Sequence, residues 1–271
     1  MHSYKPVAWS LVLEATGRLV FGVILVVAGL GVSGAYLGTP LSFLAVALGL
    51  WWIGRGRLAA ASGEATRRLW DLVGGAWPAV AGLFLIAMLQ NVDVIMVKRQ
   101  IGGDAAGAYA AAAVAAKAVV WLAIGIGLYL LPEATRAARH GRDPRPVLMR
   151  ALGVVAAVAA PMLLLYGLAP ETVLRLAFGP ETVVAADALF VLGCAMTLLA
   201  VGYLGVQYML ALGRVAFLPA LAAVAVAEIA LLGGLGLDSL ATFAGVVLAM
   251  QAAAALSVLT IGLAPGRVAV R

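Results

Sequence analysis

Charge is the first thing this sequence is short of. Lys, Arg, Asp and Glu make up 11% of the 271 residues against 65% hydrophobic ones, and the mean hydropathy is +1.09. A soluble surface needs about 25% charge, so a water-soluble fold is excluded and a multi-spanning membrane protein is predicted. Cysteine is nearly absent: Cys194 stands alone inside an apolar run, which excludes an internal disulfide framework and leaves the redox compartment open. Histidine is as rare, and the isolated His2 and His140 with one cysteine form no ligand cluster. No metal or other cofactor is expected. Alternating polar and apolar strands are missing too, so a membrane barrel is excluded, and helix is the backbone state that satisfies its own hydrogen bonds in lipid. The first apolar run holds Glu14 and Arg18 and lacks a clear cleavage site, which argues against a signal peptide.

What the chain has instead is a series of long apolar runs. A span needs about 20 apolar residues to cross about 30 Å of hydrocarbon. Cutting at turn residues and charges gives eight spans, at about residues 18–37, 40–54, 77–97, 107–131, 149–168, 187–211, 216–236 and 240–263. The second is short and ends LWWIGRGR, where Trp51 and Trp52 ahead of Arg55 and Arg57 read as an interfacial anchor. The predicted fold is all-α, a polytopic membrane bundle of about eight transmembrane helices.

Lys and Arg fall unevenly between these spans. One set of junctions carries Lys5, Arg18, Arg55, Arg57, Arg67, Arg68, Arg136, Arg139, Arg142, Arg145, Arg150, Arg214, Arg267 and Arg271; the other carries Lys98, Arg99 and Arg175. The positive-inside rule then places both termini in the cytoplasm. A formal charge of +6 and a pI near 9.8 reflect this topology rather than a nucleic-acid partner, because the basic residues are dispersed between apolar runs. The outer connections are short, the longest at about 169–186, so no extracytoplasmic domain is expected.

The pair of spans at 18–54 and the last pair at 216–263 share a layout: a Gly-rich end (GLGVSGAYLGTP against GGLGLDSL), a very short outer turn, and a second helix closing on GR. The offset fits six helices, so residues 1–66 read as the last two helices of one six-helix half and 67–271 as a complete second half. Gly-rich helix ends also arise for packing reasons alone.

The stretch LQNVDVIMVKRQIGGDAAGAYAAAAVAAKAVVWLAIGIGLYLLPEATRA, followed by a basic loop and by APETVLRLAFGPETVVAADALFVLGCAMTLLAVGYLGVQYMLALGR, resembles the polysaccharide flippase family of the multidrug/oligosaccharidyl-lipid/polysaccharide exporter superfamily. The matching features are Asn91 and Asp93 late in a helix, a Gly and Ala hairpin with Tyr109, a helix ending on Pro132, and a helix closing on ALGR at 211–214. The resemblance covers about 67–215 well and the flanks more loosely. Members have twelve to fourteen helices in two six-helix halves, so it implies that this chain departs by lacking the first four.

The residues that hydrocarbon should exclude are the candidate site. A charge at the bilayer centre costs about 2.5–3.5 kcal/mol on the insertion scale. Lys117 lies near the middle of its span, as do Glu228 and Gln251 in the last two. In one reading Lys117 faces a central cavity and attracts the phosphate of a lipid-linked sugar, with Glu228 as a proton or cation site. In the other, Lys117 and a carboxylate neutralise each other inside the bundle. Asp93 sits about 9 Å to the outer side of its span's centre with Gln90 at i−3 on the same face, so that face turns from lipid. With Asn91 it forms either a polar wall or coupling-ion site, or a clamp between helices. Arg18 can pair with Glu14 at i−4 and snorkel, or meet an entering pyrophosphate. Tyr203, Gln207 and Arg214 make one stripe toward the cytoplasmic mouth.

Enzyme readings fail on geometry. Gly31, Val32, Ser33 and Gly34 spell the GxSG of intramembrane serine proteases, but Ser33 is near the outer face and both histidines lie on the cytoplasmic side, out of reach of a nucleophile. The outer loop is thin in acidic residues for glycosyl transfer. The expectation is a flippase or exporter of lipid-linked oligosaccharide or polysaccharide precursors in a bacterial-type cell membrane, working by alternating access. Lys117, Arg18, Gln251 and Gln207 are read as substrate contacts, and Asp93, Asn91, Gln90 and Glu228 as the ion-coupling or polar cavity. The rivals are a cation-coupled multidrug exporter of the same superfamily and a non-transporting, partner-dependent subunit. The partners expected are a lipid-linked glycan, membrane lipid, and a second chain supplying the missing helices, with no nucleic acid.

Overall fold

The computed structural model describes residues 5–59 and 63–264, with side chains described over 12–52 and 74–264. The regular elements among them are helices: α1 (Lys5–Leu25), α2 (Gly31–Ala59), α3 (Gly63–Gln100), α4 (Gly103–Ala116), α5 (Ala118–Arg139), α6 (Arg145–Leu168), α7 (Pro170–Phe178), α8 (Ala186–Ala211), α9 (Phe217–Gly234) and α10 (Leu240–Leu263). Seven stretches are long and apolar enough to span a membrane: Val12–Trp52, Gly74–Gln100, Gly103–Arg139, Arg145–Leu168, Pro180–Ala211, Phe217–Gly234 and Leu240–Leu263. The protein is a multi-pass membrane bundle. Of the basic residues from which a cytoplasmic side is expected, Lys5, Arg55, Arg57, Arg67, Arg68, Arg267 and Arg271 lie outside the described side chains, as does His2. Chain contacts divide the fold into two compact units, Met1–Gly74 and Gly75–Arg271.

In the first unit, Val12–Trp52 is a hairpin of two arms. The expected turn at residues 37–40 is not where the chain reverses. It reverses at Gly29 and Gly31, with φ of 93° and 54°, left-handed values that glycine adopts without a Cβ clash. Pro40 lies inside α2, as transmembrane helices tolerate proline within them. Small residues set the register: Gly17 faces Ser42, Gly38 faces Gly22 and Gly34 faces Leu25. A Cβ on Gly38 would sit 2.7 Å from the Gly22 nitrogen, so the backbones touch, as helices in lipid do where both carry small residues. Ser42 Oγ donates to the Glu14 carbonyl at 2.6 Å, and the Glu14–Arg18 pair expected from the spacing is formed.

The second unit is built around α8. Its buried side chains run from Ala188 to Met209, and α4, α5, α6 and α10 pack against it. A helix apolar on every side belongs in the interior. Glycines again bring neighbours close: a Cβ on Gly205 would lie 2.6 Å from Val258 of α10, and one on Gly127 of α5 would lie 2.7 Å from Tyr203. The connection at 169–186 is not open loop but α7 followed by a 3-10 turn, Pro180–Ala185, that leads into α8.

The span expected at 107–131 falls within one membrane-spanning stretch, Gly103–Arg139, whose helical hydrogen bonding tightens at a single residue. α4 ends at Ala116 and α5 begins at Ala118, with Lys117 between them at φ −67° and ψ −11°. The Lys117 carbonyl is shared by the amides of Val120 and Trp121 at 2.9 and 3.1 Å, so the helical ladder tightens there. The amide of Lys117 still donates to the Ala113 carbonyl at 3.0 Å, so the chain passes through this residue without losing its helical course.

Overpacking a tight core position costs about 1–3 kcal/mol. Gly205→Leu should therefore lower the melting temperature of the purified protein in detergent. Gly107→Leu, at a position with open space around it, should leave the melting temperature unchanged.

Candidate functional site

Polar side chains of the second unit gather where α3, α4, α9 and α10 meet. α3 supplies Leu89, Asn91 and Asp93; α4 supplies Tyr109; the α4–α5 junction supplies Lys117; α9 supplies Glu228 and α10 Gln251. Asp93, Tyr109, Glu228 and Gln251 have no solvent-exposed surface at all. In the apolar interior of a bundle such groups are stable only with hydrogen-bond partners or neutralised charge.

The partners are identifiable. Tyr109 donates its hydroxyl to Asp93 Oδ2 at 3.1 Å. Gln251 donates its amide to the Leu89 carbonyl at 2.9 Å and, more loosely, to Glu228 Oε2 at 3.4 Å. Lys117 donates to Asn91 Oδ1 at 3.0 Å, and Asn91 Nδ2 in turn donates to the Ala87 carbonyl at 2.8 Å. Asp93 lies within electrostatic reach of both Lys117 and Glu228. The ion pairs among the described residues are Arg18–Glu14, Arg136–Glu133 and Arg175–Glu171; Lys117 and Asp93 do not close into one. Three buried oxygens keep no donor: Asp93 Oδ1, Glu228 Oε1 and Gln251 Oε1.

The architecture explains why these residues meet. Gly102 and Gly103, at φ of 66° and 57°, turn α3 back along α4, so residues on either side of the turn pair in antiparallel register. Asp93 then faces Tyr109. Asp93 also falls on the buried face of α3 while Asn91, two residues away, falls on the exposed face, as a helical rotation of about 100° per residue demands.

The sequence candidates separate into groups. Asp93, Glu228, Lys117 and Gln251 come together, with Asn91 at the rim. Gln251, read as a substrate contact, is bonded within this cluster instead. Gln90 is half-buried on α3 and makes none of the cluster's hydrogen bonds described above. Gln207 lies elsewhere: it donates to Tyr203 Oη at 2.6 Å and lines a cavity of about 490 Å³ with Pro78, Leu83, Leu128, Leu131 and Leu210. No cationic side chain is among the described residues lining that cavity. Arg214 does not continue the Tyr203–Gln207 stripe. It bends to the end of α10 and donates to the carbonyls of Ile261 and Gly262 at 2.8 and 3.0 Å, where Arg145 also donates to the Leu263 carbonyl at 3.0 Å. Arg18, in the first unit, pairs with Glu14 and borders a groove of about 380 Å³ lined mostly by apolar residues. Sequence reasoning missed Tyr109 as the donor to Asp93, though counting outward from the Gly102–Gly103 turn would have found it.

The fold and this cluster define an integral membrane helical bundle with ionisable groups held in its interior. Residues 1–133 match the family model described as Polysaccharide biosynthesis protein, consistent with the polysaccharide flippase family that the sequence resembles. The matched segment takes in the first hairpin, α3, α4 and most of α5, so Asp93, Tyr109 and Lys117 fall inside it and Glu228 and Gln251 outside. Comparison with curated proteins and with solved structures gives no match.

Removing a donor from a buried acceptor costs about 1–3 kcal/mol. Tyr109→Phe should therefore destabilise the purified protein, and Asp93→Asn in the same background should give back part of the loss, because the amide removes the ionised acceptor. Additive losses in the double variant, read as melting temperatures, would show that the two side chains do not interact.

Proposed function

We propose that this protein is a transporter rather than an enzyme, and that it moves lipid-linked oligosaccharide or polysaccharide precursors across the cytoplasmic membrane of a bacterial-type cell by alternating access. The family match and the multi-pass bundle support the transporter class and the link to polysaccharide biosynthesis. The observation that carries the mechanism is the set of unpartnered, fully buried oxygens on α3, α9 and α10. Three separate helices contribute them, so filling or emptying the set changes how those helices attract one another. That is the requirement for an ion to drive a change between two arrangements of a bundle.

In this reading both termini are cytoplasmic and two helical halves rock around a central cavity. Asp93 and Glu228 take up a coupling proton or monovalent cation, Gln251 and Tyr109 hold the two carboxyls in place, and Gln207 and Arg18 contact the substrate along its path. The partners are the lipid-linked glycan and the surrounding bilayer lipid, with further helices of the same or a second chain forming the opposite wall of the path.

A second reading is favoured by one observation. The cavity of about 490 Å³ is apolar apart from Gln207 among its described lining residues, which suits an amphiphilic drug better than a sugar phosphate. A cation-coupled multidrug exporter would use the same acid cluster.

The test is export in a deletion strain complemented with Asp93→Asn or Glu228→Gln at matched membrane levels. Each should reduce surface polysaccharide by about tenfold or more, within the range of coupling between linked sites. Full export by both variants would end the coupling reading, and drug sensitivity with intact polysaccharide in the deletion strain would shift the assignment to the drug exporter.

A further inference from the structure

The coupling cluster holds two acids and one base. With Asp93, Glu228 and Lys117 all ionised it is one positive charge short of neutral, and a net charge in a dry interior is expensive. Lys117 nevertheless does not spend its charge on the nearest acid. Its ammonium is within electrostatic reach of Asp93 but rests 3.0 Å from the amide oxygen of Asn91. Asn91 is exposed, Asp93 is not, and Lys117 stands at the border with 9% of its surface exposed. Asp93 Oδ1, on the inner side, has no donor. A long, flexible side chain thus has two acceptors on one helix, two residues apart, and occupies the outer one.

The position of Lys117 allows movement between them. Its backbone is held, with its amide on the Ala113 carbonyl at 3.0 Å and its own carbonyl taking the Trp121 amide at 3.1 Å, so the movement belongs to the four-carbon side chain, whose ammonium turns on a fixed Cα. The inner oxygens also suit an incoming ion of defined class. Asp93 Oδ1, Glu228 Oε1 and Gln251 Oε1 are all acceptors. The amide oxygen of Gln251 gains nothing from a proton on a carboxyl unless that proton points at it, whereas a hard metal cation is held by carboxylate and amide oxygens together. The missing charge is one, which selects a monovalent ion.

We propose that Lys117 is a tethered competitor of the transported monovalent metal cation: its ammonium waits on Asn91 while the cation occupies Asp93, and moves onto Asp93 when the cation leaves. This rests on the coupling reading above and adds the exchange of one internal charge for one external charge. No bond forms or breaks; a salt bridge replaces a coordinated ion, and the cluster passes from neutral with the cation bound to one net negative charge without it, with Asp93 paired in both states. The exchange keeps Asp93 from standing buried and uncompensated after release, the state that would otherwise trap the transporter by holding its last cation.

Linkage then requires that whatever favours Lys117 on Asp93 weakens cation binding, and the reverse, typically by about 5–150-fold. Lys117→Gln removes the competitor and should tighten binding; Asn91→Leu removes the resting place, leaves every charge intact, and should weaken it. The probe is sodium, titrated against choline at constant ionic strength, with the midpoint of thermal stabilisation of the purified full-length chain as the readout. A fixed electrostatic field from Lys117 predicts a shift for Lys117→Gln and none for Asn91→Leu, and a purely structural Lys117 predicts lower stability with no shift in either.

A second measurement reads the lysine itself. The chain has three lysines, Lys5, Lys98 and Lys117, and Lys98 is exposed, so it serves as the internal reference for acylation by a membrane-permeant amine reagent followed by mass spectrometry. Lys117 should acylate several-fold faster relative to Lys98 in sodium than in choline, and the Asp93→Asn variant should lose that difference. Equal rates in sodium and choline, or sodium midpoints in Lys117→Gln and Asn91→Leu that match the parent, would overturn the exchange. The coupling reading is judged separately: Asp93→Asn and Glu228→Gln that abolish export keep it standing whatever Lys117 does.

Discussion

A carboxyl group in the interior of a lipid-embedded bundle is the constraint on which the rest of the second unit turns. Hydrocarbon offers Asp93 nothing, so every compensating contact must be built from protein. The Tyr109 hydroxyl meets one oxygen, and that contact holds only if α3 and α4 run back to back in one register. The register depends on the paired positive-φ glycines at 102 and 103. The other carboxyl, Glu228, is met from α10 by Gln251, which also grips the α3 backbone at Leu89. Two buried acids thus tie together a turn, a hairpin and the contact between α3 and α10.

Much of the architecture was legible because lipid imposes simple rules on composition. Apolar runs about twenty residues long announced the spans, and Lys117, Glu228 and Gln251 stood out because charge and amide groups are out of place there. The errors occurred where two signals compete. Thr39–Pro40 reads as a turn, yet Pro40 is absorbed into α2 while Gly29 and Gly31 reverse the chain; periodicity and hydropathy do not distinguish a packing glycine from a turning one. The tightening of the helix at Lys117, where Val120 and Trp121 share one carbonyl, is equally silent, since Ala-rich sequence on both sides favours an even helix throughout. Arg214 looked like part of a stripe on α8 because helical spacing was extended past the end of that helix at Ala211.

The separation of the polar cluster from the larger cavity is also informative. Asp93, Glu228 and Gln251 are fully buried, whereas Gln207 opens into an apolar space bounded by α3, α5 and α8. An ion that binds in the first and a large substrate that occupies the second need not touch. α3 contributes Asp93 to one and Pro78 and Leu83 to the other, so in the transport mechanism we propose, coupling would pass by displacement of a shared helix rather than by direct contact.

The end of α10 carries an implication for how the chain assembles. Helices leave unsatisfied carbonyls at their C-termini, and those of α10 are met by Arg214 and Arg145, residues made 48 and 118 positions earlier than Gly262 and Leu263 respectively. Because synthesis proceeds from the N-terminus, both guanidinium groups are already made, one at the start of α6 and one just after α8, when α10 emerges. α10 is therefore received by a prepared docking point, and its insertion closes a clasp between the start of α6, the segment after α8 and its own C-terminus.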